Sequence, residues 1–394
     1  MKVNLQMLRD DMPELNLNGH LEDEPWVARC THPVVCSKPI ASFDDEAIYI
    51  CNPWQLPRHV PRGCSTPSVI VAGKPSGEWL MAPCNILYTE GDEGILELFN
   101  LISESIARYQ SWEDDLMGIL DGDASEDELI ACIRRYIRNP FFVQGSEFDV
   151  MLGSIPEDAE STPLLERYRE EYESLGKSSF LSPEDISLFL SDNEYYRSKD
   201  KTEPSIYSGR YFDCRTLFYN ISLGGVAVGR IAVDEVVQPI LDRDFVLVKV
   251  LGQHLAKTID RSRESGFYKA EELEPILQGL LAHKLLPEGK IDHLLDSLGW
   301  GMYDRYACLV LKLKPQDGPQ QALKPLMMGI SKELELECCT VFEGSMIFVC
   351  NLTMLGKDGD EMLSEALPYL RDNLLMASLS TSYDDFKDLY YYFR

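Results

Sequence analysis

The chain has 394 residues, a formal net charge of -28 and 45% hydrophobic residues. That length admits about two to four domains, and the apolar fraction excludes wholesale disorder. The charge excludes nucleic-acid binding through the overall field, which takes clustered Lys and Arg, and it disfavours anionic membranes.

The first segment, to about residue 95, holds short strand-like runs at Trp26–Ala28, Ala47–Cys51, Ser68–Val71 and Asn85–Tyr88. Turn signals such as Asn52-Pro53 and Lys74-Pro75-Ser76-Gly77 separate them, which predicts a small β-rich or α/β domain. From Ile95 the period changes to three and four through Leu98, Phe99, Ile102, Ile106 and Tyr109. This predicts a connector helix toward Leu120. Ser125-x-x-Glu128 is a capping box for a helix Glu126–Ile137, which Asn139-Pro140 stops. Two strands, Phe141–Gln144 and Phe148–Ile155, precede acidic helices at Pro163–Leu175 and from Ser182 onward. Strands Thr216–Leu223 and Val226–Val233 then meet at Gly224-Gly225, a tight-hairpin pair.

A long helix, Val236–Arg261, closes this middle unit with an apolar stripe of Leu241, Phe245, Val248, Leu251, Leu255 and Ile259. The stripe suits either a core face or a dimer seam that also carries the signal. Helices Glu271–Leu285 and up to Leu298 follow, then strand Tyr306–Lys312, helix Gln320–Leu334 and strand Cys338–Glu343. The turn Gly344-Ser345, strand Met346–Asn351, helix Glu361–Leu370, strand Leu374–Leu379 and helix Tyr383–Phe393 complete the chain. Strand, helix, hairpin, helix, strand is the ferredoxin-like order.

The N-terminus lacks the apolar stretch of a signal peptide, and no run approaches about 18 apolar residues without charge. The 11 cysteines therefore read as reduced thiols of a cytoplasmic protein. Cys30-x-His32-x3-Cys36 lacks the paired spacing of structural zinc sites, so neither metal nor cofactor is expected. No Walker A, dinucleotide-binding, H-E-x-x-H or G-x-S-x-G motif occurs, and no catalytic residue is assigned.

Several stretches resemble a known family. Ile276–Leu281 (ILQGLL), Leu294–Trp300 (LLDSLGW) and Tyr306–Leu311 (YACLVL) resemble the GGDEF-like domain of PucR/CdaR-type bacterial transcription regulators. Ala377–Leu389 (ASLSTSYDDFKDL) is similar to that domain's close, Asn85–Ile106 to the end of the PucR-type N-terminal domain, and Ile130–Ile155 to the start of the GAF/PAS-like segment. In that last stretch the family's Asp is replaced near Gln144. The family continues past the helix matching Tyr383–Phe393 into a helix-turn-helix domain. The resemblance thus implies that DNA is contacted only by a domain absent here. The turn matching the Gly-Gly-Asp/Glu-Glu-Phe motif is Glu343-Gly344-Ser345-Met346, without a metal-binding acid pair, which implies a degenerate, non-catalytic domain.

The expected architecture is α+β and multidomain. Residues 1–95 are a PucR-like α/β domain, 96–120 a connector helix, 121–262 a GAF/PAS-like antiparallel-sheet sensor, and 267–394 a ferredoxin-like, degenerate GGDEF-like domain. The sensor would bind a small-molecule effector through Arg210, Tyr211, Arg215 and Tyr219, with the arginines pairing an anionic group and the tyrosines stacking. A surface hairpin whose arginines offset neighbouring acids competes with that reading. A homodimer through the 241–259 stripe completes the expectation. The competing classes are a nucleotide cyclase or phosphodiesterase-like enzyme and a ligand-free interaction scaffold. Residues 113–203 hold 23 acids against 9 bases, half of the net charge, which reads as solvated helix surface.

Overall fold

The computed structural model describes residues 1–60, 66–91, 93–122, 125–145, 150–175, 192–208, 214–223, 226–262, 268–284, 286, 289–313, 323, 326, 327, 330, 331, 334, 336, 338–372 and 375–393. The fold is α+β and multidomain, with three sheets. The helix expected from Ser182, the Gly224-Gly225 tip and most of Gln320–Leu334 lie outside the described residues.

The first sheet follows helix α1 (Leu5–Asp11) and comprises β1 (Asn18–His20), β2 (His32–Val35), β3 (Ala47–Cys51), β4 (Ser68–Ala72) and β5 (Asn85–Thr89). Its order is β1-β5-β4-β3-β2, with β2 to β5 parallel and β1 antiparallel. β3, β4 and β5 are nearly continuous apolar runs, as parallel strands buried on both faces must be. The strand expected at Trp26–Ala28 is absent. Pro25 has no N–H to give a ladder, and the Asn4 amide takes the Pro25 and Val27 carbonyls at 2.8 and 3.1 Å. A short helix α2 (Gly77–Leu80) precedes β5, and α3 (Ile95–Asp121) leaves the sheet.

The middle sheet opens with α4 (Glu126–Arg134), whose Ser125–Glu128 capping box has both of its bonds. It contains β6 (Phe141–Gly145), β7 (Val150–Ser154), β8 (Ser205–Tyr207), β9 (Thr216–Leu223) and β10 (Val226–Asp234). All its pairings are antiparallel, in the order β7-β6-β10-β9-β8. Helices α5 (Pro163–Leu175) and α6 (Asn193–Ser198) lie between β7 and β8 in the chain. The closing helix α7 (Asp242–Ser262) starts six residues later than expected. Pro239 cannot extend a helix backward, and the Asp244 carboxylate accepts the Leu241 N–H at 2.9 Å, which sets the helix start.

The third sheet follows α8 (Tyr268–Leu281) and α9 (Lys290–Leu298). It comprises β11 (Tyr306–Leu313), β12 (Cys339–Phe342), β13 (Ser345–Asn351) and β14 (Leu375–Leu379), in the order β12-β13-β11-β14, wholly antiparallel. α10 (Leu352–Leu355) and α11 (Gly359–Asp372) separate β13 from β14. The chain ends in a 3-10 turn and a short helix α12 (Leu389–Phe393), not the single helix expected from Tyr383. β13 is buried along its whole length between two cores, one on each face of the sheet.

The first two sheets share one hydrophobic core. α3 buries Leu98, Ile102, Ile106, Tyr109, Trp112 and Leu116 in it, beside Ile48, Ile70 and Leu87 of the first sheet and Phe141, Leu217 and Ile231 of the second. α7 lies over β9 and also touches α3 and α1. Its stripe is therefore spent inside the chain. Val248, Leu251 and Leu255 are buried there, while Leu241 and Phe245 are half-buried, with the Phe245 ring 6.4 Å from that of Trp26. Of the two readings of the stripe, core face or dimer seam, these buried residues follow the first: an antiparallel sheet needs a cover on its apolar face, and α7 provides it. The Ile259 side chain lies outside the described residues.

Charges fasten the same junction. The Asp11 carboxylate at the end of α1 accepts from Ser105 Oγ (2.7 Å), Arg108 Nη2 (2.8 Å) and Tyr109 OH (3.1 Å) of α3, and from Arg243 Nη1 (3.0 Å) of α7. Burial pushes this carboxyl up, but the bonds from Ser105, Arg108 and Tyr109 outweigh it and hold the pKa below the usual range.

Candidate functional site

Strand alternation gives the middle sheet two unlike faces. On β9, Leu217, Tyr219 and Ile221 turn to the α3–α7 side, as do Ile231 and Val233 of β10. Thr216, Phe218 and Asn220 turn the other way, opposite Asp234, Ala232 and Arg230 in register. That second face combines aromatic, amide and charged groups, and α6 contributes Tyr195 and Ser198 to it.

Arg230 is the centre of this face. Its guanidinium carbon lies 4.7 Å from the ring centroids of both Tyr195 and Phe218, a double cation–π contact. Nε donates to Asn220 Oδ1 at 2.8 Å and Nη2 to Ser198 Oγ at 2.9 Å. Asn220 is itself fixed, since its amide donates to the carbonyls of Ser198 (2.8 Å), Lys199 (3.2 Å) and Lys201 (2.8 Å). Burial lowers the Arg230 pKa, with the Tyr195 and Tyr207 hydroxyls opposing. Among the described residues no carboxylate pairs with it. Arg134, near the end of β7, contrasts with it. Its guanidinium donates to Ser154 Oγ (3.0 Å), Arg138 O (3.2 Å) and Asn139 O (2.7 Å), which makes it a brace for a strand end.

Four residues along β10, about 13 Å away at strand spacing, sits Asp234. It is buried, accepts hydrogen bonds from Thr216 and Tyr168, and burial pushes its pKa up to about 6 against those bonds. The Tyr168 hydroxyl also meets Cys214 Sγ at 3.5 Å. The face thus presents a clamped cation at one end and a hydrogen-bonded acid at the other.

Of the four residues expected to bind ligand, two are described, and neither joins Arg230. Arg210 and Tyr211 lie outside the described residues. Arg215 is 54% exposed and pairs with Glu235 at 3.4 Å, the arrangement of a surface arginine offsetting an acid. Tyr219 points to the opposite side of the sheet, where its ring packs under Gly252 of α7. Its neighbours at two-residue spacing, Leu217 and Ile221, already marked that side as core. Sequence reasoning missed Arg230, Asn220, Phe218, Tyr195 and Ser198. One clue was present: Arg230 is the lone basic residue inside the apolar run VAVGRIAV.

A guanidinium keeps its proton at neutral pH, so Arg230 itself could hold and orient an anion but not transfer a proton. Among the described residues no group of His, Cys, Asp and Glu is placed to hold a metal ion. In the third sheet, Glu343 and Gly344 form the two-residue β12–β13 turn, with φ of 47° and 71°. Among the described residues no helix is long and apolar enough to cross a membrane.

No protein-family profile matches the chain, and no curated protein matches it. Among solved structures, the A. aeolicus nlh2 GAF domain in an inactive state is similar over 40% of this chain and 98% of its own. The identity is 11% and the TM-score 0.27, too slight to bear on this chain's fold or chemistry.

Proposed function

We propose that residues 121–262 are a sensor domain whose polar sheet face takes a small anionic effector, in a cytoplasmic regulator of the PucR/CdaR type. The observation that carries this reading is Arg230. It is a desolvated cation without a carboxylate partner among the described residues, in a chain of net charge -28. Desolvating a cation is costly, and a bound carboxylate or phosphate would offset that cost through charge-assisted bonds. Tyr195 and Phe218 would exclude water beside it. The free thiols of the described cysteines suit a reducing compartment.

Occupancy would tighten the contact between β10 and α6, and the shared core would carry the change into α3 and α7. The third domain would relay it to a DNA-binding domain outside this sequence. The effector must favour one packing over the other, because equal affinity for both moves nothing. A thermal-shift screen of dicarboxylates, hydroxy acids, nucleotides and inorganic phosphate tests the proposal. A ligand at about 100 times its Kd should stabilise the chain by about 2.7 kcal/mol, and Arg230→Met should abolish the shift. A ligand that stabilises wild type and Arg230→Met equally would refute the assignment.

A further inference from the structure

An open strand edge must be blunted or paired, because its unpaired N–H and C=O groups template another strand. Most sheet ends in this protein are blunted. β1 and β8 are three residues long, and β2 contains Pro33. β7 is bulged against β6 and braced at Ser154 by Arg134. β12 is met by α8, with Gln278 Nε2 donating to Val341 O at 3.3 Å.

Among the described residues β14 has no proline, no bulge and no side chain bonded to its outer backbone, and α11 packs on its face with Leu375 and Leu379. β14 ends its sheet, and Met376, Ala377 and Ser378 are all exposed. From Leu375 to Tyr383 there is no charged residue and no proline. The Ser380 N–H donates to Cys308 O at 2.9 Å, so residues 376, 378 and 380 turn their backbone groups to β11. By alternation, Leu375, Ala377 and Leu379 turn theirs outward, away from every described strand. α11, which packs on β14, also leaves Leu367 51% exposed.

We propose that β14 pairs antiparallel with β14 of a second copy of this chain, on a two-fold axis through Ala377. Ala377 faces its own counterpart, and Leu375 faces Leu379 of the second copy. In each of these pairs the two residues exchange both N–H···O bonds. The same patch presented twice is what an isologous dimer requires. Two chains of net charge -28 repel, and this uncharged strip is a place where they can approach at little electrostatic cost. The small Ala377 side chain at the axis leaves room for the edges to meet. This interface is independent of the effector reading.

Sedimentation velocity of the whole chain, from about 1 to about 100 µM, tests it over the range suited to an interface below about 1,200 Å². Wild type should shift from monomer to dimer. Ala377→Lys sets like charges opposite one another and should weaken the dimer at least about tenfold. Its side chain is exposed, so the melting temperature should stay at the monomer's value. Ala377→Cys supplies a positive readout that needs no weakened fold. A hydrogen-bonded pair sets Cα atoms about 5.5 Å apart, within disulfide reach, so mild oxidation should give a covalent dimer. Met354→Cys, exposed elsewhere in the third domain, should not. A monomeric wild type at the highest concentration, an unweakened Ala377→Lys dimer, or no cross-link through Ala377→Cys would each overturn the proposal.

Discussion

Replacing Gly252 with alanine tests the seating of α7 on the middle sheet. In an open helix this change stabilises by about 1 kcal/mol, because glycine is the poorer helix former. Here a Cβ at 252 would lie 2.4 and 2.6 Å from Cδ1 and Cε1 of Tyr219, and 3.3 Å from Cδ1 of Ile231. These atoms belong to the body of a half-buried ring and to a core side chain, so neither can swing aside. Overpacking of this kind costs about 1–3 kcal/mol, which meets or exceeds the propensity gain. Gly252→Ala should therefore lower the melting temperature by a few degrees, at about 2–4 °C per kcal/mol for a domain of this size. In the double variant with Tyr219→Ala the two closest contacts disappear, leaving Ile231 Cδ1 at 3.3 Å, and Gly252→Ala should become stabilising. The assay is calorimetry of the four proteins of the cycle, read as the difference in Tm shift on the two backgrounds. A higher Tm for Gly252→Ala in the wild-type background would refute the placement of Tyr219 under α7.

Two acidic groups give opposite pH signatures. Asp234, with its pKa raised to about 6, binds a proton more readily folded than unfolded, so its contribution falls as pH rises from about 4 through 6. Asp234→Asn should flatten that limb and be the more stable protein at pH 8, by on the order of 3 kcal/mol, in urea titrations at several pH values. Asp11 is depressed, so its contribution is present above about pH 4 and is lost as pH falls through its lower folded value. Asp11→Ala strands the buried Tyr109 hydroxyl and the Arg243 guanidinium. It should cost about 3–5 kcal/mol near neutral pH and take Asp11's share out of the acid limb of the stability curve.

Much of the architecture was legible because it is local. The helix Pro163–Leu175 and the strand Thr216–Leu223 follow from periodicity, and the start at Glu126 follows from its capping box. β2 was not legible, because His32-Pro33-Val34-Val35 is a strand only through its parallel neighbour. α1 is seven residues, too short for a helical period to declare itself, and owes its stability to packing against α3, α7 and β5. That the α7 stripe faces the core was not legible from spacing, since core and seam demand the same pattern. The Arg230 cluster was not legible for a similar reason. It is assembled from α6, β9 and β10, and cross-strand register such as Asn220 opposite Arg230 is a property of pairing, not of the chain read singly.

The core common to the first two sheets has a consequence for how this chain can change over generations. α3, at 27 residues about 40 Å long, lends its buried face to both units, so neither owns a complete interior. A rearrangement that moved residues 121–262 to another gene would carry half an interior and strand the rest. A substitution on the buried face of α1, α3 or α7 therefore acts on both units at once, since all three helices line the one core. The third sheet, with a core on each of its own faces, is the portion free to be recombined.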